Sequence, residues 1–287
     1  MNRKLVIVLG PTAVGKTDYS IELAMKYGSP VISCDSRQIY KEMTIGTAVP
    51  SAAQLSAVRH YFIQTRSVEE YYTAGQYEIE ALELIERLFG EGHETLVMTG
   101  GSMFYIDAVC NGLGHVPTAD LSVRAGLKAR LEREGIEPLK AELSKLDPEA
   151  YHSMDLSNTQ RLFRAVEICL STGKPYSSFK TGTETAARDF EIEKIGLTRP
   201  REVLYDRIDR RVIKMMEDGL ENEVRSLSGF REKTALKTVG YKEIFDYLDG
   251  AISKDEAVEL IQRNTRHYAR KQMTWWKRDP SIHWTEL

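Results

Sequence analysis

Residues 5–17 read LVIVLGPTAVGKT. The first five, Leu5 to Leu9, are a continuous β-prone run of the kind that suits a strand buried on both faces of a parallel sheet. The next eight, Gly10, Pro11, Thr12, Ala13, Val14, Gly15, Lys16 and Thr17, fit G-x-x-x-x-G-K-[ST]. Asp18 to Tyr27 then reads as helix. Strand, glycine-rich turn and helix in that order make a phosphate cradle. The glycines let the backbone curl so that N–H groups point inward, and the helix N-terminus adds partial positive charge. Lys16 supplies a full charge, and the Thr17 hydroxyl suits a Mg2+ ligand. A glycine-rich turn alone would not explain Lys16 and Thr17 together.

Outward from this cradle, strands alternate with helices. Val31 to Cys34 reads as a second strand, His60 to Ile63 as a weak third, Ala74 to Phe89 as an amphipathic helix and Thr95 to Thr99 as another buried strand. The pattern changes near Pro117. From Asp120 to about Thr172 there are three helical segments, Leu121 to Glu134, Glu137 to Leu146 and Asn158 to Leu170, with no convincing strand. Strand character returns at Ile192 to Leu197, helices run from Arg201 to near Arg278, and a short strand is possible at Ile282 to Trp284. The expected fold is α/β: a P-loop NTPase-like parallel sheet core flanked by helices, with an all-helical insertion domain. The expected core domain covers 1–117 plus 186–287, and the expected insertion covers 118–185.

Composition narrows the function. Among 287 residues, Lys and Arg number 39 against 42 Asp and Glu, a formal net charge of −3, which excludes a broadly polybasic binder. The average hides a pattern: Leu260 to Arg278 holds Arg263, Arg266, Arg270, Lys271, Lys277 and Arg278 and no acid, with Arg263, Arg266 and Arg270 on one helical face. Cys34, Cys110 and Cys169 include no CxxC pair, which points to a reducing, cytoplasmic compartment without zinc knuckle or disulfide framework. No apolar run approaches a membrane span. His60, His115 and His267 lack ligand spacing and read as structural or surface residues, and Trp275 and Trp276 as core or core-edge.

A P-loop binds polyphosphate without deciding the chemistry. The usual NTPase has an Asp ending a hydrophobic strand to hold Mg2+. Here Thr95 to Thr99 runs into Gly100, Gly101 and Ser102. That weakens hydrolase and motor readings. Asp35, directly after the second strand, faces the same crevice as the P-loop, because ligands sit beyond the carboxyl ends of strands in such sheets. It can hold Mg2+ through water, act as a general base, or simply N-cap a helix through Ser36, Arg37 and Gln38.

Six ordered motifs carry a resemblance over nearly the whole chain: GPTAVGKT at Gly10, SCDSRQIYKEMTIGTAVP from Ser33, GGSMFYIDAV from Gly100, NTQRLFRAVEI from Asn158, TVGYKE from Thr238 and RHYARKQMTWWKRD from Arg266. Together they resemble the tRNA dimethylallyltransferases (tRNA isopentenyltransferases), and the chain's extent is similar to that of bacterial members. The resemblance implies transfer of a dimethylallyl group from dimethylallyl diphosphate to N6 of the adenine next to the anticodon, in tRNAs that read codons beginning with U. It implies that the P-loop holds the diphosphate with Mg2+, that Asp35 is the general base, and that Arg207 falls on an Arg contacting the diphosphate. Ser102 stands where the family usually has Thr, and keeps its hydroxyl. Lys16, Asp35, Ser102 and Arg207 are thus the implied catalytic set. Implied tRNA contacts are Asp35, Ser36, Arg37, Gln38, Ser102, Arg124, Gln160, Arg161, Leu162, Phe163, Arg164, Lys237, Thr238, Val239, Gly240, Tyr241 and Lys242. The implied partners are tRNA and dimethylallyl diphosphate, with no membrane and no obligate protein partner, and a monomer by default. Two rival readings are prenylation of free adenine nucleotides and a P-loop small-molecule kinase. A third is a non-catalytic RNA binder with a nucleotide-sensing loop.

Overall fold

The computed structural model describes residues 3–113, 120–179 and 187–287, the side chain of residue 121 excepted. Six strands, β1 (Lys4–Leu9), β2 (Val31–Ser33), β3 (His60–Tyr61), β4 (Thr95–Thr99), β5 (Glu191–Thr198) and β6 (Ile282–Glu286), form one sheet in the order β3-β2-β4-β1-β5-β6. Every pairing is parallel. The central strands are short and apolar because helices cover both faces. On β1, Leu5, Ile7 and Leu9 pack into one core with residues of the helices after β3 and β4, while Val8 packs into another with Ala24, Val97 and Ile208. This is the period-two alternation of a strand, applied to a sheet apolar on both sides.

Helices follow the strands: α1 (Lys16–Tyr27), α2 (Ala52–Ala57), α3 (Ala74–Gly90) and α4 (Met103–Asn111). Then come α5 (Leu121–Glu134), α6 (Glu137–Leu146), α7 (Pro148–Ser153) and α8 (Thr159–Thr172), and after β5 α9 (Arg201–Glu217), α10 (Leu220–Ser226), α11 (Tyr241–Leu248) and α12 (Lys254–Trp276). Local sequence sets their ends. Thr73 with Gln76 and Ser253 with Glu256 form capping boxes at α3 and α12. Gly28 ends α1 at φ 60°, a left-handed conformation that suits glycine.

The chain divides into two compact units, residues 1–110 with 187–287 and residues 111–186. The first holds the sheet. The second holds α5 to α8 around Leu127, Leu139, Leu143, Leu162 and Val166. The boundaries expected at 117/118 and 185/186 lie outside the described residues, as does His115. Helices α2, α4 and α7 add to the elements expected. The third strand stops at Tyr61 rather than Ile63, because Phe62 and Gln64 take positive φ of 61° and 50° and turn the chain. Trp276 is buried, and the Trp275 indole N–H donates to Asp107 Oδ2 at 3.0 Å, as core and core-edge residues. Among the described residues no helix is long and apolar enough to cross a membrane.

Candidate active site

The loop after β1 closes tightly. Gly10 has φ 147°, and a Cβ there would lie 2.6 Å from the Leu197 carbonyl oxygen on β5, so a side chain is excluded twice over. Gly15 has φ 117° and delivers the chain into α1. Lys16 Nζ donates to the carbonyls of Gly10 and Pro11, each at 2.9 Å, which folds the ammonium across the loop. Burial lowers its pKa to about 8, while the Asp35 carboxylate holds it up and the Arg211 cation pushes it further down.

The loop after β2 presents Asp35. Its Oδ1 accepts the N–H groups of Arg37 at 2.8 Å and Gln38 at 3.2 Å, so the carboxylate caps a turn, where a helix N-cap was one of the expected roles. Oδ2 points elsewhere. The place a Cβ on Gly101 would occupy is 3.9 Å from Asp35 Oδ2, 4.0 Å from Lys16 Nζ and 2.7 Å from Gln272 Nε2. Gly101 follows β4, and its missing side chain is what lets these groups converge. Ser102, next in the chain, accepts the Ser36 N–H at 2.8 Å and donates to Ser36 Oγ at 3.0 Å. Burial, and then Asp35, push the Cys34 thiol well up, so it stays a thiol beside the site rather than a nucleophile.

A cavity of about 420 Å3 lies over these loops, lined by Thr12, Ala13, Gly15, Lys16, Thr17, Asp35 and Gln38 together with Thr47, Ala48, Pro50 and Ile63. Helix α9 contributes Arg207, Arg210 and Arg211. Arg207 spends its Nε on the Ala13 carbonyl at 2.8 Å and is exposed. Arg211, one turn on, was missed by sequence reasoning. Its Nη2 donates to Thr12 Oγ1, its Nε is buried without a partner, and burial lowers its pKa to about 10. The signal was present as R-x-x-x-R on one face of α9. His60, read as structural or surface, also lines the cavity. Its Nδ1 contacts the Val58 carbonyl at 2.7 Å, its Nε2 is buried without a partner, and burial holds its pKa below the ordinary value.

Gln38 pins the cavity's other rim. Its amide donates to the carbonyls of Thr47 at 3.0 Å and Ala48 at 2.8 Å. Further back, Glu223 on α10 accepts the N–H groups of Thr44, Ile45 and Gly46 at 2.7–3.0 Å and the Tyr241 hydroxyl at 2.6 Å. A Cβ on Gly46 would meet the Tyr241 ring at 2.6 Å. Gly240 and Tyr241 are buried there. Lys237 and Lys242 beside them are exposed, with Lys237 paired to Glu232 at 3.1 Å.

In the second unit, Leu162 is fully buried in the helical core. Gln160 and Arg161 are exposed. Arg124 and Arg164 both reach the buried Glu167 carboxylate, at 2.6 and 2.7 Å, and the Arg124 guanidinium lies 5.5 Å from the Phe163 ring centre. One buried carboxylate thus orients two arginines.

The sequence model of the IPP transferase family matches residues 38–279. A protein named tRNA dimethylallyltransferase 1 from Bacteroides thetaiotaomicron is 51% identical over 280 residues, covering 98% of this chain and 90% of that protein. One named tRNA dimethylallyltransferase 2 from Porphyromonas gingivalis is 52% identical over 280 residues, covering 98% and 93%. The crystal structure of the full-length tRNA isopentenylpyrophosphate transferase from Bacillus halodurans aligns with TM-score 0.71 and 36% identity, over 99% of this chain and 90% of that one. A eukaryotic dimethylallyltransferase described as acting on tRNA shares the fold at TM-score 0.81 and 24% identity, over 99% and 74%.

Proposed function

The chain belongs to the IPP transferase family, and on that premise we propose that it is a tRNA dimethylallyltransferase. It moves the dimethylallyl group from dimethylallyl diphosphate to N6 of the adenine next to the anticodon, in tRNAs that read codons beginning with U, to give N6-isopentenyladenosine. One observation carries this reading: a single cavity is lined by a cationic phosphate cradle and by Asp35, with Asp35 Oδ2 and Lys16 Nζ lying 3.9 and 4.0 Å from the place a Cβ on Gly101 would occupy.

The chemistry needs both. The N6 lone pair of adenine is delocalised into the ring, so N6 attacks carbon poorly until its proton leaves. Asp35 takes that proton. Ser102 holds the Asp35 turn through Ser36. On the other side, the C–O bond breaks and negative charge gathers on the departing pyrophosphate. The N–H groups of residues 13–17, Lys16 and Arg211 meet that charge, with Arg207 at the rim. The hydroxyl of Thr17 and the carboxylate of Asp35 are hard oxygen donors of the kind Mg2+ takes, and Mg2+ keeps most of its shell for water and phosphate. With the diphosphate bound, Mg2+ would be held at Thr17 and would offset charge on the leaving group. The target base must be unstacked to reach this depth. Arg124, Gln160, Arg161 and Arg164 in the second unit contact the RNA, as do Lys237 and Lys242 in the first. The work belongs in the cytoplasm, where Cys34, Cys110 and Cys169, all buried and free, stay reduced.

The test is labelled dimethylallyl diphosphate with Mg2+, offered total tRNA, AMP, or ATP with small acceptors. Label enters tRNA. Label in AMP but not tRNA overturns the reading in favour of a free-nucleotide prenyltransferase, and γ-phosphate passing to a small acceptor overturns it in favour of a kinase.

A further inference from the structure

Gln272 lies near the end of α12, within a run of exposed basic residues, yet it is only 1% exposed. A buried primary amide is costly unless both its ends are satisfied. Both are. Its Oε1 accepts the Thr12 N–H at 2.9 Å, and its Nε2 donates to the Gly101 carbonyl at 2.8 Å. Thr12 belongs to the loop after β1, and Gly101 to the loop after β4. The same Gly101 carbonyl accepts the Tyr268 hydroxyl at 3.2 Å, so α12 grips it from two positions one turn apart.

These two loops carry the two halves of the chemistry. The Thr12 loop holds the cationic groups, and Arg211 is fastened to Thr12 itself. Gly101 leads into Ser102, which holds the turn of Asp35 through Ser36. We propose that Gln272 is a positioning residue for the transfer: by spanning Thr12 and Gly101 it sets the separation between the diphosphate cradle and the Asp35 side of the site, with Tyr268 as a second grip on Gly101. The proposal rests on the reading of this cavity as the prenyl-transfer site. It has a specific consequence. The Thr12 N–H is already spent on Gln272, so replacing Gln272 removes no donor from the phosphate. The loss falls on alignment of the reacting atoms, for which a misplacement of about 1 Å costs on the order of 10²-fold in rate.

The experiment compares wild type with Gln272→Met, which keeps length and removes both hydrogen bonds, and Tyr268→Phe, which removes only the second grip. For each variant the readouts are kcat, KM for dimethylallyl diphosphate, calorimetric affinity for inorganic pyrophosphate with Mg2+, and the thermal midpoint. The proposal expects kcat to fall by about 10²-fold in Gln272→Met and by less in Tyr268→Phe, with pyrophosphate affinity and KM within about threefold of wild type. If Gln272→Met does not fold, Tyr268→Phe alone decides. Unchanged kcat in a folded variant overturns the proposal. So does a parallel fall of kcat, pyrophosphate affinity and thermal midpoint, which would make Gln272 a brace for the fold only. Failure of the underlying reading is separate: wild type would itself transfer no label to tRNA.

Discussion

The Lys16 ammonium holds its proton against burial, with a pKa near 8, and the Asp35 carboxylate is what holds it up. In the free protein Lys16 is therefore protonated below about pH 8 and loses its charge above it. On the proposed function, diphosphate binds this cation. The share of the affinity for pyrophosphate with Mg2+ that Lys16 supplies, relative to Lys16→Met under the same conditions, is then level as pH approaches 8 from below, and falls by about tenfold per pH unit beyond it until the pKa of the bound state is reached. Arg211, lowered only to about 10, stays charged through most of that range. In Asp35→Asn the supporting charge is gone, so the break moves to lower pH. Calorimetric titration between about pH 7 and 10 reads this directly. A break at the same pH in both proteins would show that the two groups do not sense each other.

At the scale of elements, the stretch Thr44 to Ala48 is held from α10 and α11 as well as by its own turns and by Gln38. Glu223 gathers three consecutive N–H groups and the Tyr241 hydroxyl, and the Tyr241 ring occupies the space that Gly46 leaves open. Tyr241→Phe removes one hydrogen bond to a charged group and costs about 1 kcal/mol. Glu223→Ala strips the loop of its acceptor and costs about 2 kcal/mol, discounted because the loop is partly solvated. Urea unfolding midpoints check both, and an unperturbed Glu223→Ala would mean the loop holds itself. This contact also shows where sequence reading ends. The Ile45–Pro50 and Thr238–Glu243 motifs look separate along the chain, but in space they are one device. The P-loop was legible because its chemistry lies within eight consecutive residues, and β1, β2 and β4 because a strand buried on both faces is a continuous apolar run. Gln272 was not legible as a site residue, since its partner Thr12 is 260 residues away, and Arg211, 199 residues from Thr12, left only its spacing from Arg207 as a signal. Helix α4 showed no stripe because Tyr105, Ile106, Ala108, Val109 and Cys110 are buried around most of its circumference. The Asp35 alternatives could not be separated by position, because one oxygen caps the turn while the other lies beside Gly101.

For the molecule as a whole, a net charge of −3 coexists with a basic segment at the end of α12. The structure redistributes that segment. Arg266 is paired with Asp209 on α9, so much of its charge is offset there and it adds less to the outward field than the spacing of Arg263, Arg266 and Arg270 suggests. Arg263, Arg270 and Lys271 remain exposed. Their field is felt locally: the His267 imidazole is held below its usual pKa, first by desolvation and then by Arg270, Arg263, Arg266 and Lys271. An RNA-modifying enzyme with an acidic total needs its cations grouped like this, since affinity for a polyanion comes from counterions released at each phosphate contacted. Binding of an anticodon stem-loop, followed by fluorescence anisotropy from about 50 to 300 mM salt, gives the slope of log K against log salt. The double variant Arg270→Gln with Lys271→Gln lowers the magnitude of that slope by about 1.4–1.8, two contacts at 0.7–0.9 each. Arg266→Gln leaves the slope nearly unchanged and instead lowers the thermal midpoint, because much of its charge is offset by Asp209. A slope that drops for Arg266→Gln and not for the double variant would move the RNA to another face of α12.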